Sequence, residues 1–188
     1  MIGGESLMAD EVTDGSGERS VSVRTTISAS AERVWSLISD VELLPRFSEE
    51  LLSVAWIGDD RGLGARFTGT NFHPAMGQWT TQCQITQYMP PTLFGWSVGD
   101  PALPAARWRF DVLAVTSSSC VLSQTAELGP GRSGVTMLID RDPAKANQVI
   151  AGRLDQFRTN MHATVVGIKE LAEAAAIDET GPNPGSSP

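Results

Sequence analysis

The longest periodic segment of this chain predicts a single amphipathic helix near its C-terminal end. In residues 142–176 the apolar side chains recur at steps of three and four, which places them on one face of a helix. They are Ile150, Leu154, Phe157, Met161, Val165, Ile168 and Leu171 or Ala172. Asp142 suits the N-cap and Pro143 suits the first helical position. Such a helix has to bury its apolar face against another layer, and the same chain must supply that layer.

The residues before this helix predict an antiparallel sheet. Residues 20–28 alternate, with Val21, Val23, Thr25 and Ile27 on one face, as in a half-buried strand. Six more extended runs are separated by turns rich in Gly, Pro, Asp or Ser, which is typical of a meander. These runs are 51–57, 65–73, 79–88, 93–98, 106–115 and 120–128. Residues 135–139 predict either a further strand or the approach to the long helix.

Two short helices are predicted between the first strand and the meander. Ser30 is placed to cap the first helix, and Glu32 in its first turn interacts favourably with the helix dipole. Asp40 is placed to cap the second, which runs through Leu44 and ends at Pro45 because proline cannot continue an α-helix.

Length and composition favour one domain flanked by two tails. A chain of 188 residues with 41% hydrophobic content suits a single core. Residues 1–19 are rich in Gly, Ser and acids and show no periodicity, so we expect a disordered acidic leader. Residues 178–188 are expected to form a disordered tail, which leaves residues 20–177 as the domain.

The formal charge of -8 belongs mainly to the predicted tails and leaves the domain at about -2. With no Lys/Arg stripe, the domain offers no electrostatic footprint for nucleic acid. No apolar run is long enough to span a membrane, and no signal-peptide pattern precedes the domain, so we expect no membrane insertion and a cytoplasmic location. Cys83 and Cys120 have neither metal-knuckle spacing nor the number needed for a disulfide framework, which fits a reducing compartment. We expect no metal and no cofactor, and a monomer or a homodimer.

The order of these elements and four local phrases resemble the START-like/Bet v 1-like (SRPBCC) superfamily, particularly its bacterial polyketide cyclase/dehydrase-like branch. The phrases are ISASAERVWSLISD at 27–40, GLGARF at 62–67 followed by Gly69 and Asn71, RWRF at 107–110, and ELGPG at 127–131. The resemblance spans roughly residues 21–176. It implies an α+β helix-grip fold, in which a curved antiparallel sheet wraps around the C-terminal helix and two short helices follow the first strand. It also implies a cavity between sheet and helix, but no single activity, because this fold hosts carriers, receptors and cyclases alike.

Strand parity then predicts which side chains face the implied cavity. The inward-facing set is aromatic with a few polar groups, which suits a planar or hydrophobic ligand held by a handful of hydrogen bonds. With two residues of the long helix, the predicted ligand-binding residues are Phe67, Asn71, Trp79, Thr81, Cys83, Phe94, Trp96, Trp108, Phe110, Gln124, Phe157 and Met161. The alternative is a solid core in which these aromatic side chains fill the space themselves.

Three polar side chains carry most of the functional interpretation. Asn71 and Gln124 are inward-facing amides, and each needs a partner because an unpaired buried amide costs about 1–3 kcal/mol. The related family often shows Glu where Gln124 stands, so the resemblance argues against a general base at that position. His73 is a weak candidate for an acid or base, but its place at a strand end beside Pro74 favours a surface turn.

Two hypotheses of different class follow. No nucleophile elbow, metal cluster or phosphate-binding lysine motif is present, which favours a noncatalytic or carrier-type binder of a small hydrophobic molecule, lipid-like or polyketide-like. The second hypothesis is a cyclase or dehydratase that uses the same cavity, with His73 or Asn71 polarising a carbonyl or moving a proton.

Overall fold

The computed structural model describes residues 13–16, 18–74 and 76–178, and it contains one eight-stranded antiparallel sheet. The strands are β1 Thr13–Ser16, β2 Ser20–Ile27, β3 Leu51–Ile57, β4 Arg66–His73, β5 Gly77–Met89, β6 Leu93–Val98, β7 Ala106–Thr116 and β8 Ser119–Leu128. Their order is β1-β2-β8-β7-β6-β5-β4-β3, so β3 to β8 form a meander whose last strand pairs with β2. The predicted meander is confirmed.

Three α-helices and two 3-10 helices complete the described fold. They are α1 Ala31–Ile38, α2 Gly134–Arg141, α3 Ala146–Asp178, and the 3-10 helices Val41–Phe47 and Pro143–Lys145. The apolar face of α3 is buried as predicted, with Ala172 rather than Leu171 completing it. The α3 backbone packs closely on β2 and β8. The chain therefore has the expected helix-grip fold.

Polar contacts fix α3 against β2. The Lys169 Nζ donates to the carbonyl oxygen of Thr26 at 2.9 Å, and the Ser28 amide donates to Glu173 Oε1 at 2.7 Å. Lys169 also pairs with Glu173 at 2.7 Å. Because these contacts lie on one side of the helix, that side is anchored to the sheet along its C-terminal half.

The local predictions were wrong at several helix boundaries. Of the two alternatives for residues 135–139, the strand is excluded: residues 134–141 form α2 on the approach to α3, because Ser133 and Thr136 make a reciprocal capping box that starts a helix. The 3-10 helix Val41–Phe47 continues past Pro45, whose missing N–H leaves one i to i+3 bond unmade without ending the helix. Asp142 makes no side-chain cap bond, and a short 3-10 turn precedes α3.

The predicted acidic leader is wrong for Thr13–Ser16, which is strand β1 paired with β2. The rest of the predicted leader before Thr13, and the predicted tail beyond Asp178, lie outside the described residues. The division into a 20–177 domain and two tails therefore stays a prediction.

Candidate functional site

The inner face of the sheet, which looks toward α3, carries rows of aromatic side chains set by strand register. Trp96 of β6 pairs with Trp108 of β7, and Phe94 pairs with Phe110 in the next row. The row of Phe110 continues to Gln124 of β8. The strand register therefore places these side chains on one face of the sheet, as strand alternation predicted.

The deep part of this face is filled by ring-to-ring contact. Phe94 and Phe110 are fully buried, and the rings of Phe94 and Trp96 lie 5.9 Å apart. Trp96 also stacks on Trp108 at 6.2 Å and contacts Phe110 at 6.1 Å. Around these rings the molecule has the solid aromatic core that the sequence analysis gave as the alternative.

The other end of the inner face, toward the β4–β5 hairpin, is not filled in this way. Asn71, Trp79 and Thr81 point to the inner face yet remain half-buried, whereas Phe67 and Cys83 in the adjoining row are buried. The α3 backbone lies against β2 and β8, while β3 to β7 lie further from it. Solvent therefore reaches the concave side of the sheet at this end.

A closed series of contacts runs around this end of the inner face, and we call the region inside it the cleft. It passes from Asn71 through Thr81 and Cys83 on the sheet, along Phe67, Trp96 and Trp108, to Phe157 on α3. It returns through Arg153, Glu50 and Leu51 to Asn71.

The amide nitrogen of Asn71, rather than its oxygen, makes the hydrogen bonds of this side chain. The Nδ2 donates to the carbonyl oxygen of Gly69 at 3.1 Å and to Thr81 Oγ1 at 3.4 Å. Since a carbonyl oxygen only accepts, the NH2 group of Asn71 must face Gly69. Thr81 uses its own hydroxyl proton on Gly69, at 3.3 Å. The Oδ1 of Asn71 is left as a hydrogen-bond acceptor.

Phe157 covers the cleft from α3. Its ring meets the edge of Trp108 at 4.6 Å, and the guanidinium of Arg153 lies over it at 4.4 Å. Arg153 is held in turn by Glu50, with Nη1 to Oε2 at 2.7 Å and Nη2 to Oε1 at 2.5 Å, and by Gln156 at 3.0 Å. This two-pronged ion pair ties α3 to the residue that precedes β3.

Gln124 lies in the buried part of the core, beside Phe110 and two residues from the partner of Trp108. Its side chain is 4% exposed, and its Oε1 has no hydrogen-bond partner among the described residues. Phe67 of β4 and Leu128 of β8 lie in the same row of paired residues across the sheet. Asn71 lies four residues beyond that row on β4. Gln124 lies four residues from the row on β8, toward the opposite end of the strands. The two amides thus lie at opposite ends of the inner face.

The two cysteines are poorly suited to act as nucleophiles. Burial raises the pKa of the Cys83 thiol to about 12, and the Thr81 hydroxyl only partly offsets this. Burial also raises the pKa of Cys120. Both thiols therefore stay protonated near neutral pH, and a protonated thiol is a poor nucleophile. The described residues contain no cluster of His, Cys, Asp and Glu that could hold a metal ion.

His73, the weak catalytic candidate, is half-buried in the last pair of the β4–β5 ladder, opposite Gly77. It shares the hairpin end of the sheet with Asn71. The side chains of His73 and Asn71 are on the same face of the sheet, because the two residues are two positions apart in β4.

The structure divides the twelve predicted ligand-binding residues into two groups. Eight lie on the ring around the cleft or are paired with one of its members: Asn71, Trp79, Thr81, Cys83, Phe67, Trp96, Trp108 and Phe157. Phe94, Phe110, Gln124 and Met161 lie in the filled core. Sequence reasoning missed Glu50 and Arg153, although Arg153 stands one helical turn before Phe157 and that spacing was a usable signal.

A separate cavity of about 670 Å³ lies on the outer face of the sheet, across β5 to β8. Ser97 lines it between Gln87 on one side and Arg107 and Arg109 on the other. Arg109 pairs with Asp111 at 2.8 Å, and Arg107 approaches Glu127 at 3.9 Å. This cavity is distinct from the one the resemblance implied, because it lies on the opposite face from α3.

No helix in the described part of the chain combines the length and the apolar character needed to cross a membrane.

The chain matches a known protein family. Residues 18–165 match the family described as "Polyketide cyclase / dehydrase and lipid transport". The chain belongs to this family. That description joins enzymes with lipid transport, so membership confirms the suspected superfamily and leaves binder and cyclase as separate possibilities.

Solved structures agree on the fold. The Polyketide_cyc-like protein Cgl2372 from Corynebacterium glutamicum is 24% identical with a TM-score of 0.61, and the match covers 87% of this chain and 97% of that one. The Zhui aromatase/cyclase from Streptomyces sp. R1128 is 16% identical with a TM-score of 0.61, covering 87% and 99%. The di-domain ARO/CYC StfQ of the steffimycin biosynthetic pathway is 10% identical with a TM-score of 0.61, covering 85% and 53%. None of the curated proteins compared matches the chain.

Proposed function

We propose that this protein binds a small hydrophobic or aromatic molecule, lipid-like or polyketide-like, in the cleft between α3 and the sheet. One observation carries the proposal. Asn71, Trp79 and Thr81 face the concave side of the sheet and still reach solvent, whereas inward residues of β6 and β8 such as Phe94 and Leu122 are fully buried. An accessible concave surface lined by aromatic and a few polar side chains is typical of a small-molecule site.

The residues around the cleft have complementary roles in this proposal. Trp79, Trp108 and Phe157 offer ring surface to an apolar or planar ligand. Asn71 Oδ1 accepts a hydrogen bond from a ligand hydroxyl or amide. Gln124 is buried at the opposite end of the inner face from Asn71, so of the two amides only Asn71 is proposed as a contact.

A noncatalytic role is favoured by the chemistry of the cleft. Its cysteine is held protonated, and its best polar group is an amide that neither gains nor loses a proton near neutral pH. His73 is an acid or base on the same strand as Asn71, and the carboxylate of Glu50 is engaged by Arg153. We keep the cytoplasmic location and the monomeric or homodimeric state as predictions.

Native mass spectrometry of freshly purified protein tests occupancy directly. We expect a retained small-molecule mass, or, after delipidation, saturable binding of a neutral aromatic probe such as 2-acetylnaphthalene. A protein that retains no mass and binds no apolar probe would have a cleft too small for a ligand, and the proposal would fail.

Two variants separate binding from catalysis. Asn71→Leu should weaken the binding of a hydroxyl-bearing probe such as 2-naphthol by about 1–3 kcal/mol, because the acceptor for the probe's hydroxyl group is lost. His73→Ala should leave that affinity almost unchanged. A polyketide-like substrate whose turnover falls by about 10² to 10⁴-fold in His73→Ala, with the protein still folded, would replace the binder with a cyclase or dehydratase.

A further inference from the structure

We propose that Glu50 sets the charge selectivity of the cleft: by neutralising Arg153 it restricts the site to uncharged aromatic ligands and discriminates against carboxylates. The inference rests on the proposed binding function. It concerns two residues that lie 103 positions apart in the sequence and meet only in the folded protein.

Arg153 places a positive charge against a ring of the cleft. Its guanidinium lies 4.4 Å from the centre of the Phe157 ring, and Phe157 contacts Trp108 on the sheet. The side chains of Arg153 and Glu50 are 17% and 15% exposed, so water screens them poorly. A charge in such a place has to be compensated.

Glu50 supplies the compensation with both of its carboxylate oxygens. The planar fork of a guanidinium matches a carboxylate, and the two bonds here fill that fork on the side of Glu50. A ligand carboxylate that approached Arg153 would lie beside the carboxylate of Glu50 and share one cation with it. Two carboxylates that share one guanidinium repel each other. The ion pair between Glu50 and Arg153 therefore disfavours anionic ligands.

Removal of the Glu50 charge inverts this preference. In Glu50→Gln the side chain keeps its shape and one acceptor oxygen, but the guanidinium of Arg153 loses its counter-charge next to the cleft. A ligand carboxylate then provides the missing partner. In the double variant Glu50→Gln/Arg153→Gln the cation is also absent, so the preference for a carboxylate should disappear.

The test compares 2-acetylnaphthalene with 2-naphthoate, which share one ring system and differ in charge at neutral pH. The full-length chain and its variants are titrated with each probe at constant ionic strength, and the readout is the ratio of the two dissociation constants. The native protein should prefer the neutral probe. In Glu50→Gln the ratio should shift by about tenfold or more toward 2-naphthoate, and the double variant should remove that shift.

Asp155→Asn is the matched control, because it breaks the Arg158–Asp155 pair on the same helix, where the Asp155 side chain is 76% exposed. This variant should leave the ratio unchanged. If the Glu50–Arg153 pair only holds α3 in place, Glu50→Gln will alter both affinities equally and the inference fails. A native protein that prefers 2-naphthoate also overturns it. If neither probe binds any form, the binding function itself has failed.

Discussion

The ring of Phe47 fills the space beside Gly167, so that a Cβ atom at position 167 would overlap the ring. This contact joins the 3-10 helix before β3 to α3. Glu50 and Arg153 join the same two parts of the chain nearer the N-terminal end of α3. Helix α3 is thus held on one side by polar bonds to β2 and on the other by a glycine contact and an ion pair.

Gly167→Ala should destabilise the protein by about 1–3 kcal/mol, because the added methyl group overpacks a fixed aromatic contact. Urea unfolding measures the change. Gly152→Ala is the control in the same helix, since open space surrounds that position and alanine favours helix by about 1 kcal/mol. In a Phe47→Ala background the cost of Gly167→Ala should disappear; a cost that persists there contradicts the contact.

Phe157→Ala should cost about 3–5 kcal/mol of stability, because the ring is 5% exposed and is held between Trp108 and Arg153. The same variant should alter the affinity for 2-acetylnaphthalene. Equilibrium unfolding and probe titration on one sample give both values. A near-neutral effect on stability together with changed binding would instead mark Phe157 as a loosely packed lining residue, and no effect on either would remove it from the site.

Gln124→Met should leave the ligand-free protein as stable as before or stabilise it by up to about 1–3 kcal/mol, because it removes a buried oxygen without a partner at nearly constant volume. Probe binding should not change, since Gln124 lies far along the strands from Asn71. A loss of affinity in Gln124→Met, measured against Asn71→Leu, would show that the ligand extends into the core after all.

The thiol of Cys83 should be unreactive toward iodoacetamide in the folded protein at pH 8, because burial holds its pKa at about 12 against an ordinary value of 9.0. The folded state binds this proton more tightly than the unfolded state does. Its contribution to stability is therefore complete below pH 9 and is lost as the pH rises from about 9 to 12. Unfolding midpoints across this range should fall less steeply in Cys83→Ala, and equal slopes would contradict the assignment.

Helical periodicity and the alternation of residues along strands predicted most of the fold. The apolar stripe of α3 marked its buried face residue by residue, and alternation identified β2 and the inward side of β4. These patterns are local consequences of helical and strand geometry, and the sequence carries them directly. Two alternatives stayed open at 135–139, a strand or the approach to the long helix, because five β-branched or apolar residues look alike in either period. The capping box of Ser133 and Thr136 decides for a helix.

The shape of the site was harder to predict. Parity places Gln124 and Asn71 on the same face, but only the register of five strands shows that they lie at opposite ends of it. The Glu50–Arg153 pair depends on the path of α3 over the sheet, which no local pattern encodes. Whether aromatic side chains fill a space or line it likewise depends on how far the helix backbone stands from each strand.

The five tryptophan indoles allow the most direct test of binding in the cleft. We would titrate ¹⁵N-labelled protein with 2-acetylnaphthalene and follow the indole N–H signals, assigned by single Trp→Phe variants. Trp79 and Trp108 should shift in a saturable manner, while Trp35, which packs between Tyr88 and Phe94 away from the cleft, should not. No saturable shift of Trp79 or Trp108 up to the solubility limit of the probe, or a shift confined to Trp35, would contradict the account.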